Sequence, residues 1–246
     1  MNVSLDNVYH SELYFQPARN VQRKLIGLSV IANFVSEDGD VRIPTELVLP
    51  RLSHEEQCQL FIEKLALIET CQHFFIQHKL VAWIYITPAV VPLLLTNSEC
   101  VSAVKRFSFL ELMINENFPE LSEGKENKTL NALAERFPLV LANFGAGESA
   151  NKAIFDGLFK RIILDRNFVH RRATRLSFEP FMRAILTQVS PYCESLMIAG
   201  IDSEAMLTRV TPFGFSGMQG GLWPAVSASQ VTQLPVSYTH LRAHET

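Results

Sequence analysis

The chain has 246 residues, of which 48% are apolar and 19% charged, with a formal net charge of −3. That length can bury a sizeable core in one large domain or two small ones, and the composition excludes a disordered chain. The charge gives no reason to seek nucleic acid. No basic-then-apolar leader stands at the start, and no apolar run reaches the roughly 20 residues of a membrane span, so a cytoplasmic protein is expected.

In chain order, residues 24–34 form the first long apolar run of β character. A helix then begins at Ser53, where Glu56 three residues later makes a capping box, and Phe61, Leu65, Ile68, Cys71 and Phe75 mark one face at steps of three and four. Residues 81–95 are the most apolar window, but Pro88 and Pro92 break it. Further β runs follow at residues 80–86, 109–114, 138–144, 161–164 and 195–200, with a short last one at 213–220. Helical segments lie between them at residues 129–137, 150–159, 180–189 and 202–210. Most β runs are apolar on both sides, as parallel strands covered on two faces should be. Alternating strands and helices without a linker predict a single α/β domain, and the chain length suits a (β/α)8 barrel of the TIM type. A doubly wound open sheet is the competing architecture. The polar segment 237–246 follows Pro235 and is expected to be an appended tail, which leaves 1–236 as the domain.

Cys58, Cys71, Cys100 and Cys193 are widely spaced and suggest neither a disulfide framework nor a zinc site. His73 and His78 stand five apart, which puts them off a shared helix face. Gly145, Gly147 and Ala150 match the G-x-G-x-x-A form of a dinucleotide fingerprint, with Asp165 near the place of a ribose-binding acid. Against that reading, Asn143 and Phe144 separate the strand from the first glycine, and the turn sits past the middle of the chain instead of opening a βαβ unit.

Several segments share an order and spacing: FQP (15–17), GLSVIANF (27–34), LELMINEN (110–117), ANFGAG (142–147), RIILDRNFV (161–169), IAGID (198–202) and QGGLWP (219–224). Over residues 14–224 the chain resembles the EAL domain family, barrel phosphodiesterases that open cyclic di-GMP. The resemblance implies a (β/α)8 barrel. In an active member it also implies strand-end carboxylates that hold two divalent metals, which activate the attacking water. Placed on that frame, this chain carries Ser29, Met113, Ala142, Asn143 and Ala199 where acids are expected. Tyr85 takes the place of an asparagine, Ile163 of a lysine and Asn33 of an arginine. Gln219, Glu111, Glu116, Asp165 and Asp202 remain. Thioether and methyl groups cannot bind a hard cation, so neither hydrolysis nor a bound metal or other cofactor is expected. Losing crowded carboxylates also relieves their mutual repulsion.

The likeness extends to a degenerate, anti-FlhDC branch of the family through CQHFFIQHKL (71–80), AIFDGLFKR (153–161), SFEP (177–180) and CESLMIAGID (193–202). It implies a protein that binds the FlhD subunit of the flagellar master regulator FlhDC and keeps it off DNA. It further implies that FlhDC is promoted towards proteolysis, indirectly through a ClpXP-type protease, without direct contact to nucleic acid or membrane. A cyclic di-GMP sensor without turnover is the alternative, with Gln219 the surviving contact. Arg166, Arg171, Arg172 and Arg175, clustered with His170, are the first candidates for partner binding; the mixed-charge segment 118–128 is the second.

Overall fold

The computed structural model describes residues 1–147 and 150–237. Eight strands close into a ring: β1 (Val8–Arg19), β2 (Leu25–Ser36), β3 (Val81–Tyr85), β4 (Leu110–Asn115), β5 (Leu139–Phe144), β6 (Arg161–Leu164), β7 (Ser195–Ile198) and β8 (Gly217–Met218). β2 to β8 run parallel, each beside the next. β1 is antiparallel to both its neighbours, β2 and β8. The expected barrel is therefore present, with one departure. A two-strand hairpin opens it instead of a βα unit, because Asn20 Oδ1 accepts the N–H groups of Gln22 and Lys24 at 3.0 and 2.9 Å and turns the chain straight back.

Among the described residues, seven helices of five residues or more besides the proline-led Val91–Thr96 pack outside: α1 (His54–His78), α2 (Ser98–Lys105), α3 (Lys128–Arg136), α4 (Asn151–Phe155), α5 (Arg166–Ala173), α6 (Phe178–Val189) and α7 (Glu204–Val210). The capping box forms as expected: Glu56 N–H donates to Ser53 Oγ at 3.1 Å, and Ser53 N–H donates to Glu56 Oε1 at 3.0 Å. Phe61, Leu65, Ile68 and Phe75 are buried, while Cys71 is half-buried. The expected helix over 150–159 is shorter, because the chain turns at Gly157 with φ +72°. The last expected strand shrinks to Gly217–Met218. The apolar window 81–95 divides into β3, a turn at Pro88–Val90 and the short helix Val91–Thr96. Among the described residues no helix is long and apolar enough to cross a membrane.

Two shells of side chains hold the ring. Outside, the helices cover a continuous apolar layer. Inside, Ala18, Trp83, Met113, Val140, Ala142, Ile163 and Met197 fill the barrel. Trp83 takes the most space, so Gly27 opposite must lack a side chain: a Cβ there would sit 2.4 Å from the indole ring. Below this layer lies a buried polar cluster. Arg161 Nε donates to Glu111 Oε1 at 2.9 Å, Trp83 Nε1 donates to the same oxygen at 2.9 Å, and Arg161 Nη1 donates to Ser195 Oγ at 2.6 Å. The guanidinium also lies 5.4 Å from the Trp83 ring centre.

The last described residues belong to the fold. Val226–Ser227 pairs with Phe15 and Tyr14, Gln16 Nε2 donates to Trp223 O at 2.8 Å, and Leu25 N–H donates to Val236 O at 2.8 Å. Of the expected tail 237–246, all but Ser237 lies outside the described residues. Glu111→Ala would leave the Arg161 guanidinium, 12% exposed, without its carboxylate, and is expected to lower unfolding free energy by about 2–3 kcal/mol in a urea titration.

Candidate functional site

In a barrel of parallel strands the carboxyl ends converge on one mouth, where loop residues gather around the interior. Here Ser29, Tyr85, Met113, Ala142, Ile163 and Ala199 come to that end from β2, β3, β4, β5, β6 and the residue after β7, with Gln219 following β8. Alternation along each strand explains why they share one interior: Ser29 pairs beside Trp83, Tyr85 beside Met113, and Asn115 beside Ala142.

Two polar links cross the mouth. Gln219 Nε2 donates to Ser29 Oγ at 2.9 Å. Tyr85 Oη donates to Asn143 Oδ1 at 2.7 Å, and Asn143 Nδ2 donates to Asp165 Oδ1 at 3.2 Å. The other Asp165 oxygen accepts Phe168 N–H at 2.9 Å and caps α5. Asn143 holds φ +58°, a left-handed conformation that asparagine tolerates better than most residues. Burial, followed by the charges of Glu46 and Asp165, pushes the Tyr85 phenol well above its ordinary value, so it stays a neutral donor. Asn33 is not part of this group. It lies farther along β2, on the stretch paired with Glu12 and Pro44, and does not line the mouth cavity.

Two divalent cations, which the resemblance implies for an active family member, do not fit this donor set. The converging groups are a hydroxyl, a phenol, a thioether, methyls and amides, while the Asp165 carboxylate already caps a helix. Among the described residues no three His, Cys, Asp or Glu side chains are placed to hold a metal.

The glycine turn has an internal ligand. Glu116 Oε2 accepts the N–H groups of Gly145 and Gly147 at 2.8 and 2.7 Å, so the amides that would cradle a phosphate already bind a carboxylate. Burial pushes this carboxyl up, and the amide bonds pull it part of the way back. Gly145 is required for a second reason: a Cβ there would meet the Phe168 ring at 2.6 Å. The dinucleotide reading therefore gives way to a packed turn. Among the four cysteines, none forms a disulfide with another, and burial raises each thiol.

The structure splits the arginine cluster. Arg166 pairs with Asp202 at 2.9 Å. Arg172 stacks on the Phe181 and Phe168 rings at 4.2 and 5.6 Å. Arg171 and Arg175 are exposed and form no ion pair among the described residues. His170 bonds Gly200 O at 2.8 Å and stands 3.4 Å from Asp202. Burial pushes the Asp202 carboxyl up, but the Gly221 N–H, Arg166 and His170 outweigh it and hold the group below its usual range.

One feature escapes the sequence motifs. A cavity of about 690 Å³ opens beside the mouth between α1, β2 and the Pro88 turn, and Lys64 lines it. Lys64 is 6% exposed, and burial lowers its ammonium from 10.5 to about 8 against a weaker opposing pull from Glu46. The signal was in the sequence: Lys64 interrupts the apolar face between Phe61 and Ile68 at helical spacing.

The EAL domain family model matches residues 5–224. The anti-FlhC(2)FlhD(4) factor YdiV of Salmonella arizonae is 64% identical over 234 residues, covering 95% of this chain and 99% of that protein. The Salmonella typhimurium LT2 protein of the same name is 63% identical over the same shares, and the putative anti-FlhC(2)FlhD(4) factor YdiV of Escherichia coli K12 is 50% identical. The crystal structure of the EAL-like domain protein YdiV superposes with a TM-score of 0.86 at 48% identity, covering 96% of this chain and 100% of that one. The PaMucR phosphodiesterase in its cyclic di-GMP complex shares the fold at a TM-score of 0.70 and 18% identity, over 90% of this chain and 94% of that one.

Removal of the Glu116 carboxylate in Glu116→Ala would orphan the Gly145 and Gly147 amides, at an expected cost of about 1–3 kcal/mol by chemical denaturation. Lys64→Met should act the other way. Between its lowered value and the ordinary one, the unfolded chain holds more protons than the folded one, so the parent protein gains stability as pH rises from about 8 to 10.5. The variant is expected to be more stable at pH 7 by on the order of 3 kcal/mol, with the difference closing as pH rises through that window in paired denaturation curves.

Proposed function

The chain belongs to the EAL domain family, and from that premise we propose that it is a non-catalytic member that antagonises the flagellar master regulator FlhDC by binding it. Two findings support the reading together: relatives at 63–64% identity over nearly their whole length carry the name anti-FlhC(2)FlhD(4) factor, and among the described residues no cluster of acids, histidines or cysteines is placed to hold a metal. Ser29, Met113, Ala142, Asn143 and Ala199 stand, in this reading, where an active member's carboxylates would converge. Tyr85, Ile163 and Asn33 replace its remaining polar contacts. Gln219, the one family contact kept for a nucleotide, is engaged by Ser29.

The target within FlhDC is the FlhD subunit, and occupancy keeps the complex from DNA, directs it to a ClpXP-type protease and lowers flagellar gene expression. The binding unit is the domain 1–236, whose last residues close on β1 and β2. Arg171 and Arg175 are the arginines available to a partner, since Arg166 and Arg172 hold α5 to Asp202 and to α6.

Purified protein and FlhC2FlhD4 complex are expected to co-elute in size-exclusion chromatography. The paired reversal Arg171→Glu with Arg175→Glu should weaken the complex at least tenfold in calorimetry without lowering the melting temperature, whereas Arg172→Ala should lower that temperature. Failure to co-elute would sink the proposal, and turnover of cyclic di-GMP with Mn²⁺ would remove its non-catalytic half.

A further inference from the structure

The mouth cavity contains one buried charge that the polar links leave unused. Lys64 reaches it from the inner face of α1 and, among the described residues, makes neither a hydrogen bond nor an ion pair. Buried donors in native folds are nearly always satisfied, so an ammonium without a partner on a cavity wall marks where an acceptor belongs.

The other titratable groups facing this space are Glu46, Tyr85 and Asp165. Asp165 and Tyr85 are committed to the hydrogen-bond chain through Asn143. Glu46 is exposed and acts on Lys64 only through space. Among the described residues no arginine or histidine lines the cavity, so they supply one positive charge there. A second anionic group would find no cation and would meet the Glu46 and Asp165 carboxylates. Much of the remaining wall is apolar: Val30, Leu60, Phe61, Ile86 and Phe118. A volume of about 690 Å³ falls within the range of small-molecule sites.

We propose that this cavity binds an organic monocarboxylate with an apolar body, its carboxylate accepting from Lys64 Nζ and its body lying on the apolar wall. A single charge opposite a single ammonium distinguishes this ligand from a dinucleotide with two phosphates. The inference does not depend on the FlhDC reading, because it uses only this chain's cavity.

Calorimetry at pH 7 with octanoate, octanol, octylammonium and octyl phosphate tests it. Octanoate is expected to bind at least tenfold more tightly than octanol or octylammonium, and Lys64→Met should abolish that advantage while leaving octanol binding unchanged. The affinity should fall as pH rises above about 8 and Lys64 loses its proton. A measurement on the unmodified protein guards against a variant that folds poorly: octanoate should slow modification of Lys64 by trinitrobenzenesulfonate, followed by peptide mass spectrometry. No octanoate binding, equal binding to Lys64→Met, or no protection of Lys64 would overturn the proposal. Octyl phosphate binding as tight as octanoate would overturn the carboxylate assignment, and displacement of octanoate by cyclic di-GMP would overturn the single-charge assignment.

Discussion

The interior of a closed ring of eight strands is just wide enough for side chains, and whatever enters it must fill the space without stranding a charge. This chain meets the constraint with one large ring and one compensated ion pair. Trp83 occupies the middle of the barrel, Gly27 yields to it, and its indole N–H joins Arg161 in satisfying Glu111. Such a pair adds little net stability over a well-packed apolar plug, since two desolvated charges offset most of their attraction. It does orient the groups around it, because a guanidinium that bonds both Glu111 and Ser195 fixes β4, β6 and β7 in one register.

The mouth obeys the same rule from the opposite side. Carboxylates gathered there would need cations to be stable; hydroxyl, phenol, thioether and methyl groups need none. What polar capacity remains is consumed internally, by Gln219 on Ser29, by the chain from Tyr85 to Asp165, and by Glu116 on the glycine turn. In the proposed reading, a scaffold of this kind is freed from its chemistry without being loosened, and its outer surface can serve another protein. Lys64 is the exception, a charge retained inside that no described residue pairs.

Strands covered on both sides were legible in the sequence because nothing polar interrupts them: residues 161–164 coincide with β6, and β5 differs from its expected start by one residue. The capping box placed the start of α1 for a local reason, two reciprocal bonds within four residues. β1 was not legible. VYHSELYFQPAR is polar, half-exposed along much of its length, and contains Pro17, which discourages a strand. Pro17 is accommodated between the brief pairings that β1 makes at Phe15 and at Arg19 on the side away from β2. Motif order together with strand alternation brings Tyr85, Met113 and Ala142 to one interior, whereas Asn33 lies farther along β2 and off the mouth. Pairing between Glu111 and Arg161 was not legible, because the partners lie fifty residues apart. Nor did the arginine cluster announce that Arg166 and Arg172 are spent on Asp202 and on aromatic rings, a fact that only the packing of α5 supplies.

The antiparallel β1 is the seam of the molecule. It meets β8 through Met218 and Arg19, and the final turns reach back to it through Trp223 and to its neighbour through Val236. A ribosome must therefore release the chain through Met218 before the circle can shut. Until then, the growing chain presents two raw sheet margins, each able to recruit a stray strand from elsewhere.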